Sequence, residues 1–396
     1  MKTNSLKIRE ALARQVEEIL PSRKGLEALM RKRKIRLYLG VDPTSPYLHL
    51  GHAIPLRKLK YFQELGHHVI LVFGTFTTQI GDPSGRDEHR KTLTPGQIKM
   101  NMASYVQQVA KILDTSKIQI RYNGDWLGKL RFGDLIQLAS HFTVSQLLER
   151  DMFQSRMEKG GEVWLSEFLY PLMQGYDSVA MNVDLEIGAT DQTFNMLVGR
   201  KLQKICNRKE KFVLTTPLLI GLDGRKMSKT YGNTVNILDS PKEMFGKLMS
   251  LADEYMIHYF EMCTEVPMEE IRAKEKALGA GALSPRDLKA ELAREIVVLY
   301  HGEKAAQHAE EEFSRIFQAK QIPSDVPKMR VDEKNIALLD LLVKIKLVQS
   351  KNEARRLVDQ RGVKIDGETQ EDGKRMVEIR KGMIVQVGKR KFVKIG

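Results

Sequence analysis

Apolar residues recur at helical spacing over residues 50–65 and stop at Gly66. This run follows a short β-rich segment, R-L-Y-L-G-V at 36–41, and a turn cluster, Asp42-Pro43-Thr44-Ser45-Pro46. The pattern predicts a strand, a tight turn and a helix in succession. A second β-rich stretch, 212–222, leads into an Asp223-Gly224-Arg225 turn. Charged helix formers dominate 241–320, with helices predicted over 268–278 and 285–300, and residues 321–334, carrying Pro323 and Pro327, read as a linker. Beyond it an apolar-periodic helix is predicted over 338–347, then a second helix opening at Ser350, where Glu353 completes a capping box. Residues 362–367 read as a strand and turn, followed by short basic strands. Residues 7–20 are amphipathic and helix-like. The expected organisation is an α/β domain at 1–240, a helical domain at 241–320, a linker at 321–334 and a small α+β domain at 335–396.

Charge sharpens this division. The 396 residues carry 64 Lys and Arg against 50 Asp and Glu, a net +14 that points to a polyanionic partner. Residues 335–396 hold fifteen Lys or Arg against eight Asp or Glu, so +7 sits in 62 residues. Within two turns of one predicted helix, Lys351, Arg355 and Arg356 can reach phosphates, with a solvated basic face as the alternative. The two cysteines, Cys206 and Cys263, imply a reducing compartment without structural disulfides. No apolar run approaches the ~18 residues of a membrane span. Glu10, Glu17 and Glu18 speak against a transit peptide, so a cytosolic location is expected.

The predicted helix at 50–65 is opened by His49-Leu50-Gly51-His52. A chain of this composition would contain an H-x-G-H string only about 0.015 times by chance. A strand, turn and helix N-terminus present unpaired N–H groups and a positive dipole end, which suits a polyphosphate. Two histidines three apart share one face of the first turn and can donate to phosphate oxygens. Zinc would need further ligands, and the cysteines lack metal-type spacing; two solvated histidines are the plain alternative. Lys226-Met227-Ser228-Lys229-Thr230 puts two ammonium groups on a loop suited to closing over phosphates, or simply to being a solvated basic loop. Tyr170, Gln174 and Asp177 fall at i, i+4 and i+7, one polar helix face with Pro171 expected in the first turn. Asp177 can accept from a phenolic hydroxyl, and Tyr170 with Gln174 can hold an ammonium group; an interhelical or solvent-facing stripe is the alternative. Tyr38 ends the first strand beside Gly40, where a ligand can approach the backbone, or is a core aromatic.

Together the two strings resemble the paired signatures of class I aminoacyl-tRNA synthetases, with Leu50 in place of the usual Ile and Thr230 in place of the final Ser. Within that class, L-Y-L-G-V-D-P-T at 37–44, G-D-P-S-G at 81–85, Y-P-L-M-Q-G-Y-D at 170–177 and G-A-T-D-Q at 188–192 are similar to bacterial-type tyrosyl-tRNA synthetases, over essentially the whole chain. The resemblance implies a Rossmann-like parallel-sheet nucleotide-binding catalytic domain, an α-helical anticodon-side domain and a small α+β RNA-binding domain. It implies catalytic roles for His49, His52, Lys226 and Lys229, and tyrosine binding by Tyr38, Asp82, Tyr170, Gln174, Asp177 and Gln192. Tyr38 and Asp177 would meet the phenol, and Asp82 the amino group. ATP would be bound by Gly40, Asp42, Thr44, Gly51, Gly188, Asp191, Met227, Ser228 and Thr230, and RNA by Lys351, Arg355 and Arg356. Ala189 stands where a second glycine is more usual. Asp82 as a turn former, and Asp191 and Gln192 as a helix cap with Thr190, remain the plain alternatives.

The implied chemistry is activation of L-tyrosine by Mg-ATP, releasing pyrophosphate, then transfer to the 3′ end of tRNA(Tyr) by a homodimer with no protein-ligated metal. Three rivals stand beside it. A tryptophanyl relative has no need of the Tyr38 and Asp177 pair. An H-x-G-H adenylyltransferase has no need of the basic tail. A non-catalytic RNA-binding relative has no need of the histidines or the lysine loop.

Overall fold

Runs rich in Val, Ile, Leu and Phe supply the central strands of six, with more polar strands at the two edges: β1 Glu18–Leu20, β2 Arg36–Val41, β3 His68–Phe73, β4 Gln119–Tyr122, β5 Leu185–Ala189 and β6 Phe212–Thr216. In this computed structural model, which describes residues 2–84, 93–317, 326–331, 333–388 and 391–396, they form one sheet in the order β1-β6-β5-β2-β3-β4. All neighbours are parallel except β1 on β6. Helices cover a parallel sheet on both faces, so its strands read as unbroken apolar runs; every residue of β3 after His68 is buried. From β2 the chain steps outward to β3 and β4, then returns to the other side of β2 for β5 and β6. The order reverses between β2 and β5. Ligands of such sheets bind beyond the carboxyl ends of the strands at that reversal, and there the chain carries Asp42 and Asp191. The Rossmann-like architecture expected from the sequence is present.

Three helices frame the crevice. Leu50–Glu64 follows β2, Leu165–Met181 precedes β5, and Thr193–Asn207 follows it. The last two touch backbone to backbone: a Cβ on Gly175 would lie 3.0 Å from Val198 Cγ1 and 3.1 Å from the Gly199 nitrogen. The first-turn expectation for Pro171 is corrected. The helix begins at Leu165, with Glu167 accepting the Trp164 N–H at 3.0 Å, so Pro171 stands in the second turn and is buried. The 7–20 reading also changes: the helix is Lys2–Ala11, and Glu18–Leu20 is an edge strand on β6. The stretch 212–222 is strand only to Thr216, because Pro217 cannot donate to the ladder.

Helices Pro241–Leu248, Met256–Cys263, Met268–Gly279, Pro285–His301 and Glu303–Phe317 follow. The buried Arg14 guanidinium donates to the carbonyls of Thr264 and Val266, both at 2.8 Å, at the end of the Met256 helix. Arg57, from the helix that His49 opens, donates to Cys263 O at 2.5 Å and Tyr300 Oη at 3.0 Å. These bonds join the sheet to the helices within one compact unit, Met1–Ala306.

The second unit, Gln307–Gly396, contains β7 Lys328–Met329, β8 Asn335–Ala337, β9 Val363–Ile365, β10 Glu368–Thr369, β11 Met376–Glu378, β12 Ile384–Val387 and β13 Lys391–Ile395. Five strands are ordered β10-β9-β12-β13-β7, and β8 pairs with β11. Helices Leu338–Lys344 and Lys351–Asp359 bring Leu338, Leu342, Ala354 and Val358 into a core shared with Val363 and Val385. Part of the expected linker, 328–329, is thus a strand of this sheet; residues 321–325 and 332 of that stretch lie outside the described residues. Among the described residues, no helix is long and apolar enough to cross a membrane.

Candidate active site

His49 is the N-cap of the Leu50 helix and His52 its third residue. The His49 N–H donates to Nδ1 of His52 at 3.2 Å, and the two rings stand 3.9 Å apart. A Cβ on Gly51 would lie 3.0 Å from the His49 ring, so a side chain there would press on that ring. Burial pulls the His49 imidazole well below its ordinary range, with neighbouring cations adding to the effect. His52 is pulled down to about 3 by burial and then by the charges of Lys229 and Lys226. Both rings are neutral, and because His52 Nδ1 accepts, its Nε2 carries the hydrogen.

The first motif is tied through backbone to the segment that follows the second. Leu50 N–H donates to Val235 O and Ile237 N–H to Leu48 O, each at 2.9 Å. Lys226 Nζ lies 2.7 Å from Asp191 Oδ2 beyond the end of β5, and Lys229 Nζ binds Ser45 Oγ and Tyr47 O in the turn after β2. Met227 is buried, with its N–H on Leu219 O at 2.8 Å. Ser228 N–H donates to Asn233 Oδ1 at 2.8 Å, and Ser228 Oγ accepts from Thr230 N at 3.3 Å.

A half-buried polar cluster lies at the same carboxyl ends. Tyr170 Oη donates to Asp42 Oδ2 at 2.9 Å, and Thr77 Oγ1 donates to Asp42 Oδ1 at 2.8 Å. Thr44 closes the turn, its N–H on Asp42 O at 2.8 Å. Burial, then the charge of Asp42, raises the Tyr170 phenol well above its usual range, so it remains a donor. Gln192 Nε2 donates to Asp82 Oδ2 at 2.7 Å; the Asp82 turn-former reading also holds, since Oδ1 takes the Ser84 N–H at 3.0 Å. Asn195 Nδ2 sits 3.0 Å from Gln174 Oε1 and 3.1 Å from Gln192 Oε1, while its buried Oδ1 has no partner among the described residues. The helix-cap alternative for Asp191 does not hold, because its carboxylate goes to Lys226 and Gln192 caps the Thr193 helix without a side-chain bond. Around Gly40, only the Tyr38 ring edge, at 4.0 Å, comes within 4 Å of a built Cβ. Gly188 is crowded for another reason: a Cβ there would meet Met196 Sδ at 2.9 Å, so Met196 would have to shift. Gly85, the last residue of the G-D-P-S-G fragment, lies outside the described residues.

Tyr38 and Asp177 are both buried but no hydrogen bond joins them in this structure. Asp177 Oδ1 accepts from Trp126 Nε1 at 2.8 Å and Oδ2 from Asn123 Nδ2 at 3.3 Å, and burial raises its carboxyl well above the ordinary range against those two bonds. Tyr38 Oη is 3.0 Å from Ser178 Oγ. Behind it sits a cluster that sequence reasoning missed. Lys211 forms an ion pair with Glu186, Lys211 Nζ donates to Ser178 Oγ at 2.8 Å, and Gln174 Nε2 donates to Glu186 Oε1 at 3.1 Å. Asn123, Trp126 and Asn195 were missed as well. A charged residue inside an apolar strand, as in L-E-I-G-A at 185–189, was the one available signal.

In the second unit, Ser350 Oγ caps the Lys351 helix through Glu353 N at 3.2 Å. The capping box is corrected: Glu353 reaches past Ser350 to the Gln349 N–H, at 2.8 Å. Arg355 and Arg356 are exposed, and Lys351 pairs with Asp340.

Residues 30–318 match the family of class I tRNA synthetases for tryptophan and tyrosine, and residues 318–395 match a tyrosine-tRNA ligase SYY-like C-terminal domain. The chain is 47% identical to the tyrosine-tRNA ligase of Moorella thermoacetica, over 97% of this chain and 94% of the relative. It is 48% identical to that of Thermotoga maritima, over 97% and 96%. In fold it is similar to a C-terminally truncated mitochondrial tyrosyl-tRNA synthetase of Aspergillus nidulans, with TM-score 0.66 and 23% identity over 80% of this chain and 99% of the other. A tyrosyl-tRNA synthetase of Archaeoglobus fulgidus complexed with L-tyrosine superposes with TM-score 0.62 and 23% identity, covering 78% of this chain and 99% of that one. The near-full-length match to bacterial relatives, basic tail included, excludes the H-x-G-H adenylyltransferase, and the chain belongs to the bacterial-type tyrosine-tRNA ligases of class I.

Proposed function

We propose that the crevice between β2 and β5 performs both half-reactions of tyrosine-tRNA ligation. The tyrosine carboxylate attacks the α-phosphorus of Mg-ATP, giving tyrosyl-adenylate and pyrophosphate, and a ribose hydroxyl at the tRNA 3′ end then takes the acyl group. A carboxylate is already ionised at pH 7, so the first step asks for positioning and charge stabilisation rather than a base. The observation that carries this reading is that a neutral histidine pair, two lysines whose charge reaches both rings, and the polar cluster of Asp42, Asp82 and Gln174 all stand beyond the carboxyl ends of β2 and β5 or on the helices beside them. Neutral imidazoles with Nε2–H suit phosphate oxygens. They donate without first competing for a proton.

In this reading His49, His52, Lys226 and Lys229 stabilise charge developing on the triphosphate. Asp82, Tyr170, Gln174 and Gln192 hold the tyrosine backbone, and Tyr38 and Asp177 its phenol. Gly40, Asp42, Thr44, Gly51, Gly188, Asp191, Met227, Ser228 and Thr230 surround the nucleotide. Magnesium enters with the triphosphate as part of the substrate and offsets its charge. Lys351, Arg355 and Arg356 contact tRNA phosphates. Phe132 at 79% exposure and Leu165 at 75%, with Ile136 and Val144 also exposed, support a second copy of this chain as partner in a homodimer.

Amino-acid-dependent exchange of labelled pyrophosphate into ATP, with all twenty amino acids and no tRNA, tests the reading. Exchange with tyrosine alone is expected. Exchange with tryptophan instead would move the site to the sibling specificity, and exchange with none would remove the activation step.

A further inference from the structure

Lys211 is fully buried immediately before β6, an expensive place for an ammonium group. Burial pulls its pKa down against the opposing pull of Glu186. The pair lies behind the pocket wall, where it would touch no substrate, so its presence calls for a reason. The hydrogen-bond directions supply one. A lysine nitrogen only donates here, so Ser178 Oγ must accept from Lys211 at 2.8 Å. The single hydroxyl hydrogen of Ser178 then points to Tyr38 Oη at 3.0 Å or to Glu186 Oε2 at 3.3 Å. Glu186 Oε2 already faces the ammonium group, and Tyr38 is nearer. If Ser178 donates to Tyr38, the phenol hydrogen of Tyr38 is released from the wall. In this structure Tyr38 Oη reaches Gln174 O at a long 3.5 Å, and Glu186 is a second acceptor near the phenol.

We propose that Lys211 and Ser178 are positioning residues that set the direction of a hydrogen-bond chain, Lys211 to Ser178 to Tyr38, which makes Tyr38 a donor to the phenolic oxygen of bound tyrosine. The proposal rests on the tyrosine-binding reading above and deepens it. Asp177, already held by Trp126 and Asn123, is the acceptor at the other end. A hydroxyl placed between them accepts from Tyr38 and donates to Asp177. A phenylalanine ring satisfies neither, which leaves a buried donor and a buried acceptor unpaired.

Ser178→Ala removes the middle link and leaves the Lys211–Glu186 pair in place. Steady-state pyrophosphate exchange is measured with tyrosine and with phenylalanine. The expected result is a higher KM for tyrosine and a tyrosine-to-phenylalanine kcat/KM ratio reduced about three- to tenfold, the worth of one neutral hydrogen bond. Phenylalanine kcat/KM should stay within about twofold by the same argument. A second variant, Lys211→Met with Glu186→Gln, keeps the volume and removes both charges, and the same loss of ratio is expected. If either variant slows both amino acids equally, or leaves the ratio unchanged, the residues serve packing alone and the chain is overturned. Absence of tyrosine exchange by the unmodified protein is a separate result, which sinks the underlying reading.

Discussion

The backbone N–H of His49 donates to Nδ1 of His52 at 3.2 Å, which fixes the tautomer of His52 and leaves its Nε2–H free of the helix that carries it. A donor preorganised in this way acts on charge that appears during displacement, not on the ground state. His52→Ala should therefore slow tyrosine-dependent pyrophosphate exchange by about 100- to 1000-fold, while tyrosine affinity, measured by equilibrium dialysis, stays within about twofold. A comparable loss of tyrosine affinity would remove the assignment.

The same burial has a pH signature. His52 is held down at about 3 and His67, whose Nδ1 accepts the Ile35 N–H at 3.2 Å, at about 4. In the unfolded chain both titrate near the ordinary ~6.5. Between these values the unfolded state binds more protons than the native state, so stability rises with pH there and is lost as pH falls from about 6.5 towards 4. Calorimetry at half-unit steps should show Tm falling over that window, and His67→Asn should make the slope shallower. An unchanged slope in the variant would show that His67 does not contribute.

Gly74 follows β3 with no room for a side chain: a Cβ would lie 1.8 Å from Asp42 Oδ1 and 2.4 Å from Thr77 Oγ1. Gly74→Ala must therefore displace the carboxylate that Tyr170 and Thr77 hold. A shift of about 1 Å in such a group costs on the order of 100-fold, and that loss is expected in kcat/KM for exchange. Retained activity would mean that Asp42 need not sit where it does.

How far the chain could be read in advance follows from the range of each interaction. The strand at 36–41, its turn and the helix His49 opens are local, and their residues sit where propensity and capping put them. Pro171 misled because a proline suits a first turn, and here the helix gains its start from Glu167 on Trp164, a bond that pattern alone did not reveal. Lys211 just before β6, Glu186 on β5 and Ser178 on a helix are brought together only by sheet order and helix packing, so no spacing announces them. Asn195 is similar. Its position three residues after Gln192 is visible, but its reach to Gln174 depends on the close approach of two helices at Gly175.

The basic tail yields a prediction that separates its role from the chemistry. Arg355 and Arg356 are exposed on a helix whose apolar positions, Ala354 and Val358, are already committed to the core of the second unit. Reversing both charges therefore leaves that core intact and costs little stability. Adenylate formation needs no tRNA, so Arg355→Glu with Arg356→Glu should leave pyrophosphate exchange within about twofold of the unmodified protein. Affinity for tRNA, and charging at low tRNA concentration, should fall, because each lost phosphate contact forfeits counterion release. The diagnostic quantity is the slope of log affinity against log salt, measured by filter binding over a series of salt concentrations. It should drop by about one for each contact removed. A weakened affinity with an unchanged salt slope would point to altered folding of the unit, and an unchanged affinity would take these arginines out of the RNA interface.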